Sequence, residues 1–391
     1  MNDNPQISRS SQRVLWAGLS LGTIALVIGL IADPLRAWSS LFVNAYFLLT
    51  TCLAGVAFLA LAAVSGARWH LPFRRIPELL IATVPIAACV MLVVIAWRFI
   101  QLMGDHSQTA HAASFWFKEA WLEPKFWLIR GVVCLAVWTL LALVMVRQGR
   151  RGPQRTITGG EKALAAVTLG VLAITITVAG VDWTMALEPE WFSTMWGVYQ
   201  FAGMFQAGLA GMILLAIHSA GRNEQFQAVF QTNHLHDLAR LLIGFSCFWM
   251  YIWFCQYMLI WYSNIPEETS YFMERARGAW GPVVIASLIM NWGIPFLVLL
   301  PRPAKRSVTV MKRVAVVVLI GRWLDLYVMV YPSTQGKTPA FAWTEVAGIL
   351  CLLCGMPLAI NSSHLRWRIV QHRTSDSRNS LSPNVRRQSS V

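Results

Sequence analysis

Carboxylates at the borders of apolar runs are the residues of this sequence most able to do chemistry. Asp182 lies near the end of one apolar run and is followed by Trp183, and Glu188 lies in the loop beyond. A carboxylate at a hydrocarbon border needs a cationic partner, a proton or a pocket of water. Asp182 is therefore a candidate acid–base group, and a structural charge at a helix end is the equal alternative.

A second polar group follows a later apolar run, at the same border if the intervening runs cross a membrane: Tyr262, Asn264, Glu267 and Glu268. A quinol headgroup needs an acceptor for its hydroxyl proton and flat apolar walls, and acids among aromatic rings supply both. These residues and the Asp182 border are thus a candidate quinol pocket. The alternative is an interfacial belt of aromatic rings with solvated loop acids.

Arg322 and Asp325 lie inside another apolar run. They are three residues apart on one helical face, which is close enough for the two side chains to pair. Charges this deep in an apolar span are costly unless they are paired or hydrated. Two interpretations stay open: an ion pair that locks helices together, or one station of a proton path. Arg98, Asn291 and Glu345 are weaker members of the same set.

The opposite border carries its own titratable residues. His234, His236 and Asp237 open an apolar run, and Glu78 opens another just after Pro77. Histidines titrate near neutral pH and can load protons. Asp237 is expected to cap its helix, because aspartate is favourable near a helix N-terminus. For Glu78, a capping role and proton uptake are both open.

The sequence predicts no metal site and no redox cofactor held by this chain. A haem b inside a helix bundle needs two facing histidines near the middle of the membrane, whereas all eight histidines fall in loops or near the ends of apolar runs. No cysteine set has iron–sulfur spacing, and no glycine-rich phosphate loop or nucleophile elbow is present. The seven cysteines lie inside apolar runs and are predicted to be small buried side chains.

The elements that must position these residues are membrane helices. The chain is 56% hydrophobic and 13% charged, whereas soluble domains carry about 25% charged residues. About 20 apolar residues cross the hydrocarbon core as a helix. Ten such spans are predicted, which makes the fold all-α and integral to the membrane: 14–33, 39–65, 77–101, 126–147, 163–185, 196–219, 236–263, 279–300, 308–331 and 341–364.

The distribution of basic residues predicts the orientation. Arginines and lysines concentrate in the loops after spans two, four and eight and in the tail, and the alternate loops are acidic or mixed. Positive loops stay inside, so both termini are expected to be cytoplasmic. The net charge of +14 therefore reflects topology and does not indicate nucleic-acid binding. The predicted organisation is a polar segment 1–13, a membrane domain 14–364 and a basic, disordered tail 365–391.

Three long motifs resemble one protein family. They are GARWHLPFRRIPE at 66–78, DWTMALEPEWFSTMWGVYQFAG at 182–203 and HDLARLLIGFSCFWMYIWFCQYMLIWYSNIPEET at 236–269. With the region around Arg322 and Asp325, they are similar to the ActF subunits of alternative complex III, a bacterial quinol:electron-acceptor oxidoreductase. The resemblance covers roughly 40–335. Ala186 stands where the family usually has Ser, and Arg240 where Lys is common.

The resemblance implies a fold like that of NrfD, the polysulfide-reductase type of membrane subunit, with ten helices that include two four-helix bundles. It implies a place in the bacterial inner membrane, beside a second NrfD-like subunit, an iron–sulfur subunit and multihaem cytochrome c subunits. Haem c and iron–sulfur clusters would then belong to the partners, and quinone or quinol would be the small molecule nearby. In such complexes the ActF-like subunit is credited with architecture and a proton path more than with quinol oxidation.

The leading hypothesis is a membrane subunit of a quinol-oxidising respiratory complex, without a redox centre of its own. It would border quinol at the periplasmic side and conduct protons through residues such as Glu78, His236, Arg322, Asp325 and Asp182. The rival is a purely structural anchor for redox subunits. A secondary transporter is a third hypothesis, although no inverted repeat is visible in the sequence.

Overall fold

The computed structural model describes residues 8–104, 120–149, 158–188, 191–336, 338–339 and 341–381. In this part of the chain the regular elements are all helical. Fourteen α-helices are described: α1 Arg9–Ala32, α2 Pro34–Ser65, α3 Arg75–Gly104, α4 Pro124–Gly149, α5 Gly159–Trp183, α6 Trp196–Ala220, α7 Glu224–Val229, α8 Thr232–Ser263, α9 Pro266–Ala276, α10 Trp280–Leu288, α11 Ile294–Leu299, α12 Arg302–Arg306, α13 Val308–Gln335 and α14 Trp343–Leu381. Short 3₁₀ turns lie at Leu71–Phe73 and Met185–Leu187.

The predicted ten apolar spans are confirmed. Ten helical segments of the described residues are long and apolar enough to cross a membrane, with α10 and α11 counting as one span. The boundaries differ by a few residues. The second span begins at Pro34 because the Asp33 carboxylate caps it by accepting a bond from the Arg36 N–H, at 3.2 Å. The chain is thus a multi-pass helical membrane protein.

Helices α2, α6 and α13 form the centre of the molecule. Of the residues in an 18-residue apolar stretch of each helix, 83% are buried in α2, 72% in α6 and 67% in α13, whereas only 17% are buried in α1. A helix that is apolar on all sides is stable either in a protein core or against lipid, and the burial of these three helices places them in the core of the bundle. Close packing needs small residues at the contacts. At Gly208 of α6 a Cβ atom would lie 1.9 Å from the Cβ atom of Ala54 in α2.

The remaining helices pack around this centre in sequence order. Helix α2 contacts α3, α5 and α6, and α4 fills the corner between α3 and α5. On the other side, α6 contacts α8 and α13, and the α10–α11 span packs between α8 and α13. Helix α14 packs against α1 and α2. Every central residue is therefore shared between several helices.

Pro295 and Pro332 each interrupt the helical hydrogen-bond ladder inside a span, and a side chain from another helix bonds the carbonyl that is left free. A proline cannot donate to the carbonyl four residues before it. Pro295 follows a π-helical turn, Ile289–Gly293, and the Asn291 carbonyl accepts a bond from Gln206 Nε2 at 2.5 Å. Pro332 lies in α13, and the Val328 carbonyl accepts a bond from Arg275 Nε at 3.1 Å. Both repairs tie distant segments to the core.

The two ends of the chain differ from the sequence expectation. Helix α1 begins at Arg9, with Ser8 as its cap, inside the segment 1–13 that was expected to be polar and irregular. Helix α14 continues to Leu381, well into the tail that the sequence predicts as disordered. Residues 1–7 and 382–391 lie outside the described part.

Replacing Gly208 by Ala should destabilise the protein by about 1–3 kcal/mol, because the new methyl group overpacks the contact between α6 and α2. Gly244→Ala is the matched control, since nothing lies within 4 Å of a Cβ atom at that position. Thermal unfolding in mild detergent, followed by tryptophan fluorescence, measures both. An equal melting temperature for the two variants would contradict this account of the α2–α6 contact.

Candidate functional site

The centre of the site is the Arg322–Asp325 pair of α13. Arg322 Nη1 lies 2.5 Å from Asp325 Oδ2, so the predicted pairing is confirmed. Arg322 is 0% exposed and Asp325 is 5% exposed. Burying an isolated charge at such a position costs a large amount of free energy. The attraction between two paired charges offsets this cost only if hydrogen bonds also satisfy their remaining polar atoms.

Helix α6 supplies most of those hydrogen bonds, although Arg322 Nε is buried without a partner among the described residues. The Tyr199 hydroxyl donates to Asp325 Oδ1 at 2.5 Å, and Arg322 Nη2 donates to Gln200 Oε1 at 3.0 Å. The guanidinium lies directly on the backbone of Gly203, where a Cβ atom would come within 2.3 Å of Nη1. Trp249 of α8 stacks on the Tyr199 ring with centroids 5.7 Å apart. Tyr199, Gln200 and Gly203 lie within about one turn of α6, and together they form the surface that contacts the ion pair.

The network continues beyond α6 toward two other helices. Gln200 Nε2 donates to Thr184 Oγ1 at 3.2 Å, and Trp196 Nε1 donates to the same hydroxyl at 2.8 Å. The Tyr46 hydroxyl of α2 donates to Gln200 Oε1 at 3.4 Å. We call Tyr46, Thr184, Tyr199, Gln200, Arg322 and Asp325 the central polar network. It joins α2, the end of α5, α6 and α13 through groups whose protons can exchange.

A second polar level lies farther along α6. Gln206 Nε2 donates to Ser246 Oγ of α8 at 3.0 Å and to the Asn291 carbonyl. Asn291 Nδ2 donates to the Ser287 carbonyl at 3.0 Å. Within the described residues, Gln206 Oε1 and Asn291 Oδ1 are buried and have no hydrogen-bond partner. Asn291, a weaker member of the sequence-predicted set, therefore belongs to a polar cluster at the π-helical turn, and no direct bond joins that cluster to the central polar network.

Asp182 is an ion-paired residue. Arg130 of α4 grips its carboxylate with two bonds, Nε to Oδ2 at 2.7 Å and Nη2 to Oδ1 at 3.0 Å. Trp121 Nε1 donates to Oδ1 at 2.8 Å, and Trp127 Nε1 donates to the Asp182 carbonyl at 2.9 Å. Bidentate arginine–carboxylate pairs are strong and geometrically specific. Arg130 was not predicted as a site residue. It lies six residues inside α4, and the neighbouring helix α5 ends at Trp183, next to Asp182. An arginine and an aspartate at adjacent ends of two neighbouring spans are the sequence feature that indicates the Arg130–Asp182 pair.

Glu188 belongs to a different cluster. Arg275 of α9 donates to Glu188 Oε1 at 3.2 Å, and the Ser333 hydroxyl donates to the same oxygen at 2.7 Å. The Arg275 side chain is nearly buried and lies over the Tyr271 ring, with 3.6 Å from Cζ to the ring centroid. Because Arg275 also bonds the Val328 carbonyl, it is the residue that fixes α9 onto the proline-broken end of α13. Arg275 too was missed as a site residue.

The predicted quinol-pocket residues are not held together as one group. Tyr262 is 84% exposed, and Asn264 ends α8 in the left-handed conformation, at a φ of 48°. Glu267 is exposed and Glu268 half-buried in the first turn of α9. Trp183 packs against the Tyr46 and Trp138 rings. Asp182 and Glu188 are held by two different arginines, Arg130 and Arg275, so the residues expected to form a single outer pocket lie in separate places.

The residues predicted at the opposite border have local partners. His234 Nδ1 accepts a bond from the Gln231 N–H at 3.0 Å and completes the cap of α8. The prediction that Asp237 caps this helix is wrong, because α8 begins at Thr232. Asp237 instead lies 3.9 Å from Arg240 Nη1 and 3.7 Å from His236 Nδ1.

The other acids expected on a proton path are also paired. Glu78 lies in the first turn of α3 and accepts a bond from Arg74 Nε at 2.9 Å. Glu345 is fully buried, receives Arg36 Nε at 2.8 Å and accepts the Ala342 N–H at 2.6 Å. Arg98 lies over the Trp38 ring at 5.2 Å. Glu78 and Glu345 are thus each neutralised by an arginine.

No group of three or more metal-ligating side chains occurs among the described residues. The chain matches no protein-family model and no curated protein. Site assignments therefore depend on geometry and on the motif resemblance alone.

Removing one partner of the Arg130–Asp182 pair should cost about 3–5 kcal/mol, because a buried charge is left uncompensated. Arg130→Gln and Asp182→Asn should each lower the stability, and the double variant should lose clearly less than the sum of the two. Arg147→Gln is the control, on the exposed C-terminal end of α4. Denaturant unfolding of the four proteins completes the cycle. Additive losses would show that the two side chains are not coupled.

His70 predicts a pH dependence of stability. It lies in the loop between α2 and α3, packed against the Phe58 ring, and burial lowers its pKa from 6.5 to about 4, with Arg74 adding to the shift. Between these values the unfolded chain binds more protons, so stability falls as the pH falls from 6.5 to 4, by up to about 3 kcal/mol. His70→Leu should flatten this part of the pH profile. An unchanged slope in the variant would contradict the assignment.

Proposed function

We propose that this protein is a membrane subunit of a quinol-oxidising respiratory complex of the bacterial inner membrane. The observation that carries the proposal is the central polar network, with an ionised pair buried among apolar helices and linked to Tyr199 and Gln200. Intramembrane charges of this kind are expensive and are typical of proton relays. The motifs that resemble the ActF family contain Tyr199 and Gln200, which the network joins to Arg322 and Asp325.

The chain's own role in this proposal concerns protons. Oxidation of a quinol to a quinone releases two protons and two electrons, and the electrons would go to haem c and iron–sulfur centres of partner subunits. Arg322 and Asp325 lie on the same helix, so a shift of α13 against α6 would leave their pairing in place but would break the Tyr199–Asp325 and Gln200–Arg322 bonds. Loss of the Tyr199 donor would favour the protonated form of Asp325, so the movement would be coupled to protonation. Tyr199 and Gln200 give the exchanged proton a hydrogen-bonded neighbour on α6.

The helix packing supports an NrfD-like arrangement with two four-helix bundles. Helices α2 to α5 form one closed set of contacts, and α6, α8, α10–α11 and α13 form the other. Helices α1 and α14 pack as a pair outside them. Basic loops alternate with acidic ones along the ten spans, which supports cytoplasmic termini. The proposed partners are a second NrfD-like subunit, an iron–sulfur subunit and multihaem cytochrome c subunits.

The quinol-facing border belongs to the same proposal. Tyr262 and Trp261 are highly exposed at the end of α8, and Glu267 and Glu268 follow in α9. Aromatic rings beside carboxylates fit a headgroup at a membrane interface. Asp182 is less suited to accept a quinol proton than the sequence suggests, because Arg130 and Trp121 already saturate its oxygens.

A purely structural anchor is the second candidate, and a specific observation favours it. The carboxylates of Asp182, Glu188, Asp325 and Glu345 each have an arginine partner, which is what a rigid scaffold requires. An anchor and a proton path predict the same assembly. They differ only in what happens when a network residue loses its charge while the complex stays intact.

The first test is purification of the tagged chain from membranes in mild detergent. The complex should carry covalently bound haem and an iron–sulfur protein, and it should oxidise quinol. A haem-free chain that is intact and stable on its own would overturn the proposal and favour transport.

The second test replaces Asp325 by Asn and Tyr199 by Phe in the assembled complex. Each should lower quinol turnover or proton release by about tenfold or more, because a relay group contributes about 10²–10⁴-fold. Glu274→Gln, an exposed acid of α9 outside the proposed quinol border, is the control for the loss of one carboxylate charge. Haem content of the purified particle monitors assembly. Normal turnover and proton release in an assembled Asp325→Asn complex would leave the anchor as the function.

A further inference from the structure

A cavity of about 730 Å³ opens at the end of the bundle where the basic loops lie. It is enclosed by α3, α6, α13 and α14, with the 3₁₀ turn Leu71–Phe73 and helix α7 at its rim. It is separate from the central polar network, whose six residues are all absent from its walls. The proposed function leaves this cavity without a role.

The rim of the cavity is positively charged. Arg222 follows the end of α6, Lys312 lies in the first turns of α13, and Arg75 is the first residue of α3. Arg222 and Lys312 both act electrostatically on His218, which lies between the ends of their helices. In the described part of the chain neither Arg222 nor Lys312 forms an ion pair with a carboxylate. Both side chains are exposed, so their positive charge is available to a ligand.

The inner wall is apolar and continues away from the rim. Leu214 and Leu215 of α6, Val316 and Leu319 of α13, and Met356 and Ile360 of α14 line it. Lys312, Val316 and Leu319 follow one another at helical spacing on α13, so one helix face changes from cationic to apolar over two turns. A ligand that fits this surface is anionic at one end and an extended hydrocarbon at the other.

We propose that the cavity binds one anionic phospholipid, with the headgroup phosphate at Arg222 and Lys312 and an acyl chain along the α13–α14 wall. Basic pockets between membrane helices on the cytoplasmic side are suited to phospholipid headgroups, where each nearby Lys or Arg contributes about 1 kcal/mol. The position at the helix ends is the level of the headgroups in a multi-pass protein. A free phosphate or nucleotide would use the cations but would leave the apolar wall without a partner.

The test measures stabilisation of the full chain, in its native complex or alone, in mild detergent. Phosphatidylglycerol should raise the melting temperature saturably, whereas phosphatidylcholine with the same acyl chains should raise it far less. Arg222→Gln and Lys312→Gln should each weaken the apparent affinity for phosphatidylglycerol about fivefold, which is the effect of about 1 kcal/mol. Arg313→Gln is the matched control. It removes the same charge from the adjacent, exposed position, which is not in the cavity wall, and its affinity should stay near that of the unmodified protein.

Two further variants test whether the ligand is a phospholipid or a free phosphate. Leu319→Trp fills the apolar wall without changing charge and should weaken the phosphatidylglycerol response. Lys312→Arg should keep it, which provides a folded variant if the glutamine variants are unstable. The proposal is overturned if inorganic phosphate stabilises the chain as well as the lipid does, if Arg313→Gln loses as much affinity as Lys312→Gln, or if the unmodified chain does not distinguish the two lipids.

Discussion

The structure depends on one constraint: a charged side chain inside an apolar bundle must be neutralised where it stands. Arg322 and Asp325 meet this constraint most severely, because both lie in the core of the membrane domain. Their pairing determines what surrounds them. Gly203 must lack a side chain to admit the guanidinium, and Tyr199 and Gln200 must face α13 to satisfy the remaining oxygens and nitrogens. The orientation of α6 follows from these contacts.

The same constraint explains the other ion pairs that join helices. Arg130 joins α4 to α5 through Asp182, Arg36 joins the start of α2 to the start of α14 through Glu345, and Arg275 joins α9 to α13 through Glu188. Lipid offers little hydrophobic driving force between helices, so van der Waals packing and polar contacts between helices determine how they associate. Hydrogen bonds to the carbonyls left by Pro295 and Pro332 act in the same way. Polar contacts between helices thus determine which helix faces pack together, which apolar surfaces alone do not determine.

A rigid scaffold needs charged side chains that are fully paired, whereas a proton path needs groups that can exchange protons. These two kinds of group lie in different regions of the molecule. The carboxylates at the helix ends are held by bidentate or multiple donors and serve the framework. The central polar network joins a tyrosine and a glutamine of α6 to an ion pair of α13, and this is the region where we propose that protonation is coupled to a conformational change. In the basic cavity, Arg222 and Lys312 are exposed and form no ion pair within the described residues, which suits an external anionic ligand.

The sequence by itself determined the fold class, the ten spans and the Arg322–Asp325 pair. Hydrocarbon thickness requires about 20 apolar residues per helix, and helical spacing alone brings residues three apart together. Only the tertiary structure decided the partners of Asp182 and Glu188, since Arg130 and Arg275 are 52 and 87 residues away along the chain. It also decided that Gln200 faces Arg322 and that Tyr262 faces outward. These outcomes depend on the rotation of each helix about its axis, which packing against neighbours determines and composition does not.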